Sequence, residues 1–92
     1  MIDFEIAKRS GLRQKGELDK LFRVSYPMVN AYLSGKSYPR GVNRVRIATV
    51  LDVLGKLCDS GKLPLAEGAD QANRETAVTK IESCVASVTS VA

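Results

Sequence analysis

The sequence predicts an all-α fold: one compact domain of four to five short helices, followed by a C-terminal helix. Three observations predict it. Apolar residues recur at three- and four-residue spacing in successive segments, the signature of helices with one covered face. Gly, Ser and Pro punctuate those segments where helices start and stop. The apolar residues are mainly Leu, Val, Ile and Ala, with five aromatics and no Trp among 92 residues. A chain this short buries only about 60% of its unfolded surface, so dimerisation would add useful burial.

The first helix is expected over Ile2–Ser10, with Ile2, Phe4, Ile6 and Ala7 as its apolar positions. Asp3 and Glu5 near its start and Lys8 and Arg9 near its end suit the helix dipole, and Gly11 stops it. A second helix runs from about Gln14 to Phe22, with Leu18, Leu21 and Phe22 on one side. Val24 is a buried turn residue and Ser25 an N-cap. Pro27 falls in the first turn of the third helix, where its missing N–H costs nothing. That helix continues through Leu33, with Val29 and Leu33 inward, and ends at Gly35. The loop 36–41 is polar and stiffened by Pro39.

A fourth helix, Asn43 to about Cys58, has a wide apolar face made by Val45, Ile47, Ala48, Val50, Leu51, Val53, Leu54 and Leu57. Arg44 and Arg46 crowd its N-terminal end, where the dipole disfavours cations, so their charge should serve something else. Residues 1–65 form the expected domain, with Leu63 and Leu65 tucked against its core. Residues 66–69 read as a linker. A final helix, Asp70 to Thr89 within segment 70–92, carries Val78, Ile81, Val85 and Val88 at 3-4-3 spacing, flanked by Ala77, Cys84 and Val91. This stripe suits either packing on the domain or a dimer seam, and the dimer seam is the expectation carried forward.

Composition excludes several functions. No His is present, and no Ser or Cys stands beside an evident base, so no enzyme is expected. Cys58 and Cys84 are far apart without imidazole neighbours, which argues against a metal site and for two buried free thiols. No cofactor is implied. No apolar run nears the ~20 residues of a membrane span, and no signal peptide is evident, so the expected location is the cytoplasm. Charge is uneven: residues 1–65 carry twelve Lys/Arg against six Asp/Glu, and residues 66–92 carry two against four. The positive part contains the second and third helices, where a phosphate backbone could be met.

Gly16–Gly35, GELDKLFRVSYPMVNAYLSG, therefore reads as two helices around a short turn. Tyr26, Asn30 and Ala31 lie opposite Val29 and Leu33 on the second of them. Such a helix can enter the DNA major groove, where Asn pairs with adenine N6/N7 and Ala or a tyrosine ring edge packs on a thymine methyl. From about Ile6 to Leu57, and most of all in VSYPMVNAYLSGKSYPR (residues 24–40), the chain resembles the helix-turn-helix of the lambda repressor/Cro family, the XRE-like regulators of phages and bacteria. The resemblance implies a lambda-repressor-like fold with the third helix in the major groove.

It also implies base reading by Tyr26, Pro27, Asn30 and Ala31, with Pro27 restricted to apolar contact. Gln14, Lys15, Ser25, Lys36, Ser37, Arg40 and Asn43 then fall at positions that grip phosphates, with Arg44 and Arg46 as extensions of that grip. The implied protein is a dimeric, Cro-like repressor in a bacterial cell or phage-infected host, bound to double-stranded DNA. Two residues depart from the family pattern: Asp19 stands where Ala is usual, and Arg23 where the turn usually has Gly. A non-Gly residue in a left-handed turn costs about 1–2 kcal/mol, and Asp19 and Arg23, four apart, could pair. The competing reading is an interaction adaptor, or an antitoxin, whose C-terminal helix binds another protein.

Overall fold

The computed structural model describes residues 2–63, 65, 68 and 70–89, and every regular element among them is helical. The order is α1 (Glu5–Ser10), α2 (Leu18–Phe22), α3 (Tyr26–Ser34), α4 (Gly41–Asp59) and α5 (Gln71–Thr89). The all-α expectation therefore holds, with four helices before the C-terminal one. None of them is long and apolar enough to cross a membrane. Residues 66, 67 and 69 of the expected linker, and Val91, lie outside the described residues.

Helix boundaries follow local hydrogen bonding. α1 begins at Glu5, whose N–H donates to Asp3 Oδ1 at 3.0 Å, and stops at Gly11, which adopts φ 71°. α2 is shorter than expected because residues 14–17 form a turn instead of helix. The Glu17 N–H donates to the Gln14 carbonyl (3.2 Å), and the Gln14 N–H donates to Glu17 Oε1 (3.1 Å). Ser25 caps α3 as expected, its Oγ accepting from the Met28 N–H at 3.3 Å. The capping bond satisfies one otherwise orphaned donor, a contribution of about 1 kcal/mol.

α1 and α5 both pack on α4, and α2 contacts α3, α4 and α5. Ala7, Leu12, Leu18, Leu21, Phe22, Val29, Leu33, Ile47, Val50 and Leu54 are all buried in one core. Val78, Ile81 and Val85 of α5 belong to that same core. The division into a domain of residues 1–65 and a separate C-terminal helix is accordingly revised: α5 is a structural layer of a single unit. Tyr32 is also buried and its ring stacks on Phe4, centroids 6.0 Å apart.

Three further expectations are corrected. Val45 and Ala48, placed on the apolar face of α4, are exposed, because that face is wider than α1 and α5 can cover. Cys84 is exposed and Cys58 half-buried; both are free thiols but neither is fully enclosed. Asp19 and Arg23 form no ion pair among the described residues. Asp19 Oδ1 instead accepts the Gly16 N–H at 2.7 Å, holding the turn before α2.

Candidate nucleic-acid interface

The α2–α3 corner is set by one left-handed residue. Arg23 has φ 61° and ψ 42°, and is the single non-glycine residue with positive φ among those described. The strain expected from the sequence is present, in a residue whose Cβ crowds the following carbonyl. The Val24 N–H still reaches the Asp19 carbonyl at 3.2 Å, so the turn closes with its hydrogen bond made. α3 then leaves with Val29, Tyr32 and Leu33 buried.

Its other side is accessible. Pro27, Asn30 and Ser34 are exposed and Ala31 is half-buried, giving an outward stripe at i, i+3, i+4 and i+7. Tyr26 is half-buried, and its hydroxyl donates to the Arg13 carbonyl at 3.2 Å. That bond ties the start of α3 to the α1–α2 loop and leaves the ring edge as the part of Tyr26 available for apolar contact. Pro27, Asn30, Ala31 and Tyr26 thus lie within the first two turns of one helix.

The flanking polar and cationic residues divide into two groups. Gln14, Lys15, Lys36, Arg40, Asn43 and Arg44 are exposed, and Ser37 is half-buried. Gly35, at φ 82°, ends α3. The Lys36 and Ser37 N–H groups both donate to the Ala31 carbonyl, at 2.9 and 3.3 Å. This closure fixes the direction in which Lys36 leaves the helix. From Lys20 to Leu51 the chain holds six Lys/Arg and no Asp/Glu, so no carboxylate within α3 or its flanking loops neutralises this surface.

Arg46 belongs to the other group, which corrects its expected role as a phosphate grip. Its Nε donates to the Leu21 carbonyl at 2.9 Å, across 25 residues, and its Nη2 is buried with no hydrogen-bond partner among the described residues. Burial lowers its pKa, the nearby Arg23 charge adds to that, and Glu82 opposes it. The guanidinium therefore ties α4 to the C-terminal end of α2, where a cation meets the negative end of the helix dipole. Ser25 Oγ is likewise committed to capping. Tyr38 is held below its ordinary pKa first by the Ile2 N–H, which donates to its hydroxyl at 2.9 Å, and then by Arg44, with burial opposing.

The expected dimer seam does not survive as a free surface. Val78, Ile81 and Val85 are 2%, 3% and 0% exposed, all within the chain's own core, and Val88 alone of the four is open, at 52%. The physical reason is the width of α4's apolar surface together with a buried ion pair that sequence reading missed. Glu17, almost fully buried, accepts from Arg74 Nε and Nη2, both at 2.7 Å, and Arg74 Nη2 also donates to the Gly11 carbonyl at 2.9 Å. The Glu17 contact raises the Arg74 pKa further above its ordinary value. This fork seats α5 against the α1–α2 loop. Nothing local in the sequence marks the pair, since its members stand 57 residues apart.

Among the described residues no cluster of His, Cys, Asp and Glu could hold a metal ion. No family model, curated protein or solved structure matches this chain.

Proposed function

We propose that this protein binds double-stranded DNA sequence-specifically, laying α3 in the major groove, and acts as a Cro-like transcriptional repressor. The observation that carries the reading is the outward stripe of Pro27, Asn30 and Ala31 on a helix anchored by Val29 and Leu33, set within a carboxylate-free basic stretch. Asn30 is the base reader, offering both a donor and an acceptor to adenine. Tyr26, Pro27 and Ala31 supply apolar contact to thymine methyls. Lys15, Lys36 and Arg40 meet phosphates, assisted by Gln14, Ser37 and Asn43; these contacts supply salt-dependent affinity without sequence choice.

The decisive experiment selects bound sites from random duplex DNA and then compares variants on the winning site. Asn30→Ala is expected to lose about 1–3 kcal/mol of discrimination while keeping salt-sensitive nonspecific binding. Lys36→Ala should weaken binding to all sequences alike and reduce the salt slope by about one. Failure to enrich any site, or an Asn30→Ala variant as discriminating as the wild type, rejects the proposal. The adaptor reading, to which Asp19 and Arg23 also pointed, and the antitoxin reading both need α5 as the partner-binding helix, and most of its apolar stripe is spent on the core.

A further inference from the structure

The exposed side of α4 beside α1 is apolar in its middle, with Arg44 of α4 toward one end and Asp52 of α4 toward the other. A groove of about 520 Å³ runs there, lined by Asp3, Ile6, Arg44, Val45, Ala48 and Asp52 among others. Val45 is 67% exposed and Val42 84%, unusual for valines on a helix that otherwise supplies the centre of the core. Arg44 and Asp52 are both exposed, and each lies four residues from Ala48.

We propose that this groove is the contact surface for a second copy of the chain, with the two α4 helices antiparallel and the two-fold axis at Ala48. A two-fold contact uses one patch twice, so the patch must complement itself. Here it does. An antiparallel register centred on Ala48 sets Arg44 against Asp52 of the second copy and Asp52 against Arg44 of the second copy. The small Ala48 lets the helices approach, and Val45 of each copy enters the other's groove beside Ile6. A uniformly acidic partner would be repelled by Asp3 and Asp52 and a uniformly basic one by Arg44, which is why a second copy, carrying both signs in the matching register, is the occupant assigned. Asp52 already has Lys56 at 3.4 Å, but both side chains are mostly in solvent, and such a pair is weak enough for Arg44 to share its carboxylate.

This proposal does not depend on the DNA reading, and its test uses no DNA. Sedimentation equilibrium on the full chain should show a dimer that dissociates on dilution. Arg44→Glu and Asp52→Arg, each placing like charges face to face, should weaken it about a hundredfold or more. The double variant should recover to within about tenfold of the wild type, because the exchanged charges meet again. Val45→Asp should give monomers, and Val88→Asp on α5 should change nothing. All these sites are exposed, so circular dichroism should show intact helices; if one variant does not fold, the others decide. A wild type that stays monomeric at every concentration overturns the proposal. So does a dimer indifferent to Val45→Asp and both single charge reversals, a double variant that fails to recover, or a dimer broken by Val88→Asp. Binding of a single DNA half-site by Val45→Asp, measured separately, tests the DNA reading alone.

Discussion

α3 and α5 carry similar sequence signals and end in opposite situations. Each is an amphipathic helix with apolar residues three and four apart, and each has an opposite side of polar and small residues. α3 buries its stripe and keeps Pro27 and Asn30 accessible within a carboxylate-free basic stretch. α5 was the expected outward-facing seam, yet Val78, Ile81 and Val85 close the core, and Arg74 is held by Glu17. An apolar stripe says that a face will be covered. It does not say whether the covering surface belongs to the same chain.

The comparison can be broken most severely by deleting residues 70–92. If α5 is a core layer, the remainder should lose cooperative thermal unfolding altogether; a shortened chain that melts sharply would return α5 to the status of an appendage. Next in size is Glu17→Ala, which takes the carboxylate from a half-buried Arg74 guanidinium and the acceptor from the Gln14 N–H. Losing charge-assisted hydrogen bonds of this kind costs about 1.5–3 kcal/mol, to be read from urea denaturation, and a loss under 1 kcal/mol would mean that the fork is ornamental. Arg46→Ala should cost about 1–3 kcal/mol, the range for a carbonyl left unsatisfied, whereas Lys36→Ala should stay within about 0.5 kcal/mol. Equal effects from these two cations would contradict their assignment to different groups. The smallest change expected is a gain: Arg23→Gly should stabilise the fold by up to about 1 kcal/mol by relieving the left-handed residue. A melting temperature that falls instead would show that the Arg23 side chain matters more than its backbone.

Much of the fold was legible in the sequence because its signals are local. Ser25 before Pro27 marked the start of α3, Gly35 its end, and Val29 and Leu33 its buried side, all within ten residues of one another. The strained corner at Arg23 was legible too, since a non-glycine residue there departs from a recognisable pattern. Tyr32 stood out among the three tyrosines as the structural one, but its stacking on Phe4 and the roles of Arg46 and Arg74 were not legible, because each depends on a partner brought close only by the fold. For the candidate site, the grouping of Tyr26, Pro27, Asn30 and Ala31 on one helix was foreseen. The engagement of the Tyr26 hydroxyl by the Arg13 carbonyl was not, since it joins two segments that no periodicity connects. Val45 and Ala48 were misplaced because a helix with apolar residues on most of its circumference does not announce which of them will remain uncovered.

The carboxylate of Glu17 has a use at the bench. Its Oε1 receives both the Gln14 amide and Arg74 Nη2, so one oxygen joins the chain ahead of α2 to a helix that begins more than fifty residues later. The amide proton of Gln14 is therefore a reporter on a distant attachment. Arg74→Ala, which frees Glu17 from α5, should speed exchange of that proton in heavy water.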